Sequence, residues 1–220
     1  MRHCPLIVCR QDEAVLQEAT FFQGLPAGPS LPRGAWHRYI IFMSETRTAE
    51  LLPILIAPHK TLKTRARPVT AGDASLIRDL VPRMFATMYK APGIGLAAPQ
   101  IDSLLRLAVV DVSPDDQKAP LVLINPDIIA RSEEMATREE GCLSLPNQYA
   151  DVTRPARIKL RYEDLDGSRR EMEADDLLAT CIQHEIDHLD GILFVDHLST
   201  LKRNMLMRRL AKEQRQNSGG

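Results

Sequence analysis

From residue 74 onward the apolar positions fall into registers that name their elements. Leu76, Ile77, Leu80, Val81, Met84, Phe85 and Met88 recur at steps of three and four, which predicts a helix over residues 74–90 with one apolar face. Asp73 stands where a side-chain cap belongs, and Pro82 inside the run predicts a kink. Residues 93–100 read as a turn-rich loop. A nearly continuous apolar run at 104–112 predicts a buried strand, and a second at 121–124 is expected to end at Asn125-Pro126. Ile158, Leu160 and Tyr162 alternate with charged residues, as in a strand with one wet face. Asp166-Gly167 then supplies a hairpin turn into a short return strand around 171–173. Asp175 or Asp176 opens a helix that runs to about Leu189 and stops at Gly191. A last helix spans about 199–216. Strands ahead of helices, joined by hairpins, read as an α+β fold.

Residues 1–42 share none of this periodicity. Pro5, Pro26, Pro29 and Pro32 interrupt them, with Gly24, Gly28 and Gly34, and the acids Asp12, Glu13 and Glu18 make a poor transit peptide. With Met43 following, this segment is expected to be a disordered extension or an upstream start-site artefact, leaving 43–220 as the folded domain. A length of 220 residues fits one domain, and 44% apolar with 26% charged residues fits a soluble globular one. The net charge of −1 gives no general pull toward nucleic acid or membrane, so any basic surface must be local. Cys4, Cys9, Cys142 and Cys181 do not read as a disulfide framework in a chain this long. No apolar run approaches the ~20 residues of a membrane span, and residues 5–9 are too short a core for a secretory signal. A cytoplasmic monomer without membrane contact is expected.

The sharpest chemical signal is His184-Glu185-Ile186-Asp187-His188. Histidines four apart on a helix share one face, and both imidazoles can reach one ion at about 2.0–2.1 Å. Glu185 between them can take a proton from water activated by that ion. The competing reading is a solvated helix with incidental histidines. Against it, Leu177, Leu178, Ala179 and Ile182 predict a buried helix, where His and Glu need partners. Catalytic sites of this kind use three protein ligands and leave one position for water. The metzincin spacing lands on Phe194, His197 comes three residues too late, and Glu213, in a basic tail, is the sole Glu after Glu185. Neither protease pattern fits.

Glu139-Glu140-Gly141-Cys142-Leu143-Ser144-Leu145-Pro146 is the better source of a third ligand. Cys142 is a thiolate candidate, and such a soft donor suits Fe(II), Zn or Co; the alternative is a small buried hydrophobe. Gly93-Ile94-Gly95-Leu96-Ala97-Ala98-Pro99-Gln100 lacks the third glycine of a dinucleotide fingerprint and the Lys-Ser/Thr of a phosphate loop. It could instead line a small acyl pocket that ends in an amide side chain.

Together these segments resemble the three motifs of the peptide deformylases: Gly-x-Gly-Leu-Ala-Ala-x-Gln, Glu-Gly-Cys-Leu-Ser and Gln-His-Glu-x-Asp-His-Leu. They stand in the family's order and at similar spacing, and the similarity spans residues 52–210, including Leu123-Ile124-Asn125-Pro126. The Cys-Leu-Ser version is similar to the bacterial type I class. The resemblance implies antiparallel or mixed sheets packed around a central metal-binding helix, with a C-terminal helix. It implies removal of the formyl group from the N-terminal formyl-methionine of nascent polypeptides, with release of formate.

By motif position it implies Cys142, His184 and His188 as ligands of one divalent ion, Fe(II) by family habit, with Zn, Ni and Co compatible. Glu185 becomes the proton carrier, Gln100 and the Leu143 N–H the oxyanion donors, and Glu140 a support for the loop. Gly93 and Gly95 permit close approach, and Ile94, Leu177 and Cys181 line the methionine pocket, with Thr180 less apolar than expected. Tyr149 stands where some relatives carry an Arg that contacts the peptide, and Arg154 or Arg157 are the candidates to replace it. The basic stretch Lys202, Arg203, Arg208, Arg209, Lys212 and Arg215 is either a ribosome-docking helix or a solvated terminal one. Two readings stand beside this: a metal-dependent amidase or peptidase of other specificity, and a non-catalytic metal-binding module, which would have lost Glu185 or Gln100.

Overall fold

The computed structural model describes residues 50–113 and 118–217; the expected extension at 1–42, and Met43, lie outside them. Strands β1 (Gly95–Ala97), β2 (Leu107–Val110), β3 (Leu121–Arg131), β6 (Arg157–Glu163) and β7 (Arg169–Asp175) form one antiparallel sheet in the order β1-β2-β3-β6-β7. Strands β4 (Met135–Cys142) and β5 (Leu145–Pro155) form a separate hairpin. Helices α1 (Ala74–Lys90), α2 (Asp176–Leu189) and α3 (Thr200–Asn217) complete the expected α+β architecture, with α3 at the C-terminal end. Among the described residues the one parallel pairing is an isolated bridge from Arg67 to Leu105.

The apolar run around Leu107 is explained by a strand covered on both faces. Side chains alternate across a strand, so Leu107 and Val109 of β2 meet Met84, Phe85 and Met88 of α1, while Ala108 and Val110 meet Cys181, Ile182 and Ile186 of α2. In β3, Val122 and Ile124 join the α1 layer and Leu123 the α2 layer. In β6, Ile158, Leu160 and Tyr162 pack toward α2, whereas Arg161 and Lys159 pair with Glu171 across the outer face. The helix that carries the histidine motif is thus laid along the sheet and buried by it.

Several local expectations change. Leu76 is 49% exposed and lies off the packing face of α1. Pro82 lies inside α1, as expected, and the helix spans 17 residues around it. Asp73 makes no cap hydrogen bond to α1; its carboxylate accepts from the Thr70 N–H at 2.8 Å and pairs with Arg67. Those partners hold the Asp73 carboxyl well below the usual carboxylate range, first through Arg67 and then through Thr70. Strand β3 does not stop at Asn125-Pro126: Asn125 takes φ 50° and a register shift between Ile124 and Asp127 absorbs the proline. The loop at 93–100 contains β1 and a 3-10 turn, Ala98–Ile101. Gly191 does end α2, at φ 76°, and a Cβ there would stand 2.8 Å from the Lys63 carbonyl.

A third core closes the hairpin from behind. Leu145 and Val152 of the hairpin pack with Phe194 of the 3-10 turn Phe194–His197 and with Leu210 of α3. On α3 the packing face is Leu206, Met207 and Leu210, while Leu201 and Met205 are 75% and 62% exposed. Leu210→Ala is expected to destabilise the protein by about 2–5 kcal/mol, and Leu201→Ala by no more than about 0.5 kcal/mol, measured by denaturant unfolding. Equal effects would mean that α3 does not seal this core.

Candidate metal centre

Two elements deliver the ligand candidates. The hairpin register shifts between Gly141 and Cys142, so that Cys142 pairs with Leu145 at the tip and its thiol is buried there. On α2 the helical period puts Leu177, Cys181, His184 and His188 on one side, and both histidines are buried. Donor atoms of Cys142, His184 and His188 all lie within 4.8 Å of one another, and Cys142 Sγ is 3.2 Å from His188 Nε2. One ion at about 2.0–2.3 Å from each donor needs them about 3.2–3.8 Å apart, so this soft, compact set fits a divalent ion. His188 Nδ1 is buried and takes no hydrogen-bond partner.

His184 is oriented from behind. Its Nδ1 lies 2.8 Å from Glu140 Oε2. Arg154 grips the same carboxylate with Nε at 2.5 Å and Nη2 at 3.0 Å, and reaches Asp187 Oδ2 with Nη1 at 2.7 Å. Burial works to raise the Glu140 carboxyl, but hydrogen bonds from His184 and Arg154 overcome it and bring it down to about 2. Glu140 is therefore a carboxylate and acceptor only, so His184 Nδ1 donates to it and Nε2 is the nitrogen left for a ligand bond. Burial likewise opposes a charged His184, and its hydrogen bonds to Cys142 and Glu140 hold it well above the ordinary histidine range.

The remaining groups converge on the same place. Gln100 is buried; its Oε1 accepts the Ala97 N–H at 2.8 Å, and its Nε2 sits 3.6 Å from Cys142 Sγ while donating to Ser144 Oγ at 3.2 Å. The amide is thereby fixed with its donors toward the cysteine. Glu185 is buried on α2, with Oε2 unpartnered, and burial first of all pushes its carboxyl up to about 7. Gly95 lies directly against that carboxylate: a Cβ there would overlap Glu185 Oε1 and come within 2.9 Å of Cys181 Sγ. Gly93 lies under Leu143, whose Cδ1 would be 2.9 Å from a Cβ. The buried Cys181 thiol donates to the Ile94 carbonyl at 3.5 Å. Leu177 is half-buried on the first turn of α2.

Residues 51–204 match the family model described as polypeptide deformylase. The chain is 51% identical over 161 residues to a peptide deformylase of Mesorhizobium japonicum, covering 73% of this chain and 91% of that protein. It belongs to the polypeptide deformylase family. A relative from Methylocella silvestris is 52% identical over 166 residues, covering 74% of this chain and 84% of the relative. Among solved structures, the peptide deformylase of Legionella pneumophila superposes with a TM-score of 0.72 at 43% identity, covering 78% of this chain and 99% of that one. That of Ehrlichia chaffeensis in complex with actinonin gives 0.71 at 37% identity, covering 76% and 99%. Deformylase membership fits a metal-dependent hydrolase, and the Cys142, His184 and His188 cluster is where such an ion could be held.

Against this deformylase frame the suggested peptide-contacting arginines fall away. Arg154 is buried between Glu140 and Asp187, and Arg157 pairs with Glu134 at 3.0 Å, at the far end of the hairpin from Cys142. The Tyr149 ring lies over its hairpin partner Gly141. Thr180 turns its hydroxyl back to the Asp176 carbonyl at 3.1 Å. Sequence reasoning assigned no supporting role to Arg154, Asp187, His197 or Ser144; Asp187 and Ser144 carried a signal in their places inside the histidine and cysteine motifs. Gly95→Ala is expected to displace the Glu185 carboxylate and lower turnover by about 10²-fold with the circular dichroism spectrum unchanged. Wild-type turnover in this variant would show that the carboxylate need not stand there.

Proposed function

We propose that this chain removes the formyl group from the N-terminal formyl-methionine of nascent polypeptides, releasing formate and a free amine, with one Fe(II) ion held by Cys142, His184 and His188. The observation that carries the reading is the convergence of an orphaned Glu185 oxygen and an amide-fixed Gln100 on those three donors. Zn, Ni and Co suit the same thiolate and imidazole set. When bound, the ion supplies a Lewis acid that brings the pKa of a water toward neutrality.

The chain's own residues do the rest. Glu185 takes the water proton on Oε2, the carboxylate oxygen that lacks a protein partner, and passes it to the leaving amine. A carboxyl raised to about 7 suits both halves of that transfer, and a positive charge at the ligands draws it down toward the accepting form. Gln100 Nε2, held outward by the Ala97 N–H on its other end, donates to the developing oxyanion beside the Leu143 N–H. The backbone of Gly93, Ile94 and Gly95 leaves room for the smallest acyl group, and Leu177 and Cys181 give the methionine side chain an apolar wall.

Work on nascent chains puts the protein in the cytoplasm; among the described residues no helix is long and apolar enough to cross a membrane. The exposed face of α3, with Lys202, Arg203, Arg208, Arg209, Lys212 and Arg215, fits the phosphate backbone of the ribosome. Formate release from formyl-Met-Ala, but not acetate from acetyl-Met-Ala, is expected of the Fe(II)-loaded protein, and Glu185→Ala should abolish most of it; no formate from fresh Fe(II) or Ni(II) protein overturns the reading. Charge reversal at Arg208, Arg209 and Lys212 leaves Leu210 in place and should lower co-sedimentation with ribosomes at low salt, whereas unchanged co-sedimentation would sink the docking role.

A further inference from the structure

Beyond the direct ligands, one line of hydrogen bonds leads from the buried centre to the surface. His184 Nδ1 meets Glu140 Oε2 at 2.8 Å; Arg154 binds Glu140 through Nε and Nη2 and Asp187 through Nη1; Asp187 Oδ2 meets His197 Nε2 at 2.7 Å. Asp187 Oδ2 already takes an N–H from Arg154 Nη1 at 2.7 Å. It accepts, so His197 Nε2 is the donor. Each nitrogen of the Arg154 fork thus donates to a carboxylate, and one Asp187 oxygen serves both Arg154 and His197.

The element that carries His197 touches the same imidazole a second way. It is the 3-10 turn Phe194–His197, and the Phe194 ring stacks on His184 with centroids 6.3 Å apart and planes at 24°. Asp196 of the same turn accepts the Leu193 N–H at 2.8 Å and pairs with Lys63 and, at 3.5 Å, with Arg203 of α3. The turn is therefore anchored from outside and bears on His184 from inside.

We propose that His197 is a positioning residue for the deformylase centre: through Asp187, Arg154 and Glu140 it fixes the orientation of the His184 imidazole. The role rests on the metal-centre reading above. Removing the His197 donor leaves Asp187, which is partly exposed, with one N–H partner in place of two. Its carboxylate is then free to turn toward water, the Arg154 fork loses its outer stop, and Glu140 no longer holds His184 in one pose. His197 itself is 36% exposed along its side chain, so its removal costs little packing. The two effects separate: the fold should keep its stability while the centre loses its grip.

The test is retention of Co(II) by the loaded full-length protein, followed by absorbance as a chelator removes the ion. Outer partners of metal ligands typically contribute about 10–100-fold to metal affinity or activity, and His197→Ala is expected at about 10-fold faster loss, with kcat reduced, KM retained and the thermal midpoint of the metal-free protein unchanged. His197→Gln keeps an N–H donor and should restore retention to near the wild-type rate. Wild-type retention in His197→Ala, or His197→Gln behaving like His197→Ala, would overturn the positioning role. If the wild-type protein itself held no Co(II), the metal-centre reading would fall first and the positioning role with it.

Discussion

A carboxylate with no exposure to solvent sits at the junction of this molecule. Glu140 is charged in a place where water does not reach it, and it is kept so by Arg154 and His184. Breaking a buried pair by removing one partner typically costs about 3–5 kcal/mol, because the other charge is left stranded. Glu140 comes from β4, Arg154 from β5, and His184 and Asp187 from α2. The hairpin and the helix can therefore dock in one relative position only. That position also brings the hairpin-tip thiol to the two imidazoles, so the electrostatic requirement and the coordination geometry are met by the same docking.

The sheet gives α2 its seat. Because β2 is apolar on both sides, α1 and α2 are clamped across it, and the orphaned Glu185 oxygen is enclosed rather than bathed. Gly95 on β1 sets how close sheet and helix come: with only a hydrogen in place of Cβ, the strand backbone can lie against the Glu185 carboxylate. Desolvation of that carboxylate follows from the same approach, so the backbone at Gly95 influences both where the group stands and how readily it takes a proton.

What the sequence made legible follows from periodicity. The cores of α1, α2, β2 and β6 were readable because each buries one face, or two, with a regular step. The hairpin β4–β5 was not: its partners are matched over long range, its interior alternates charged and apolar residues, and Gly141, Pro146 and Pro155 look like punctuation. Arg154 in such a strand reads as a surface charge, and only pairing with Glu140 turns it inward. The break expected at Asn125-Pro126 failed for a different reason, since a bulge lets a strand carry a proline without ending. The nearness of Cys142 to the histidine helix could be suspected from residue types alone, but the second layer around it, reaching out to His197, exists only in three dimensions.

The last helix has a consequence in time rather than in space. Cys142 and Leu145 share their core with Phe194 and Leu210, so part of the back wall of the hairpin is supplied by residues translated well after it. A chain made from its N-terminus presents the sheet, then the hairpin, then the histidines, each before its final support exists. Until the segment around Leu210 has cleared the machinery that makes it, the core behind the hairpin tip stays open on that side. A chain that stops short of Leu210 therefore lacks one wall of the core behind the tip that carries Cys142.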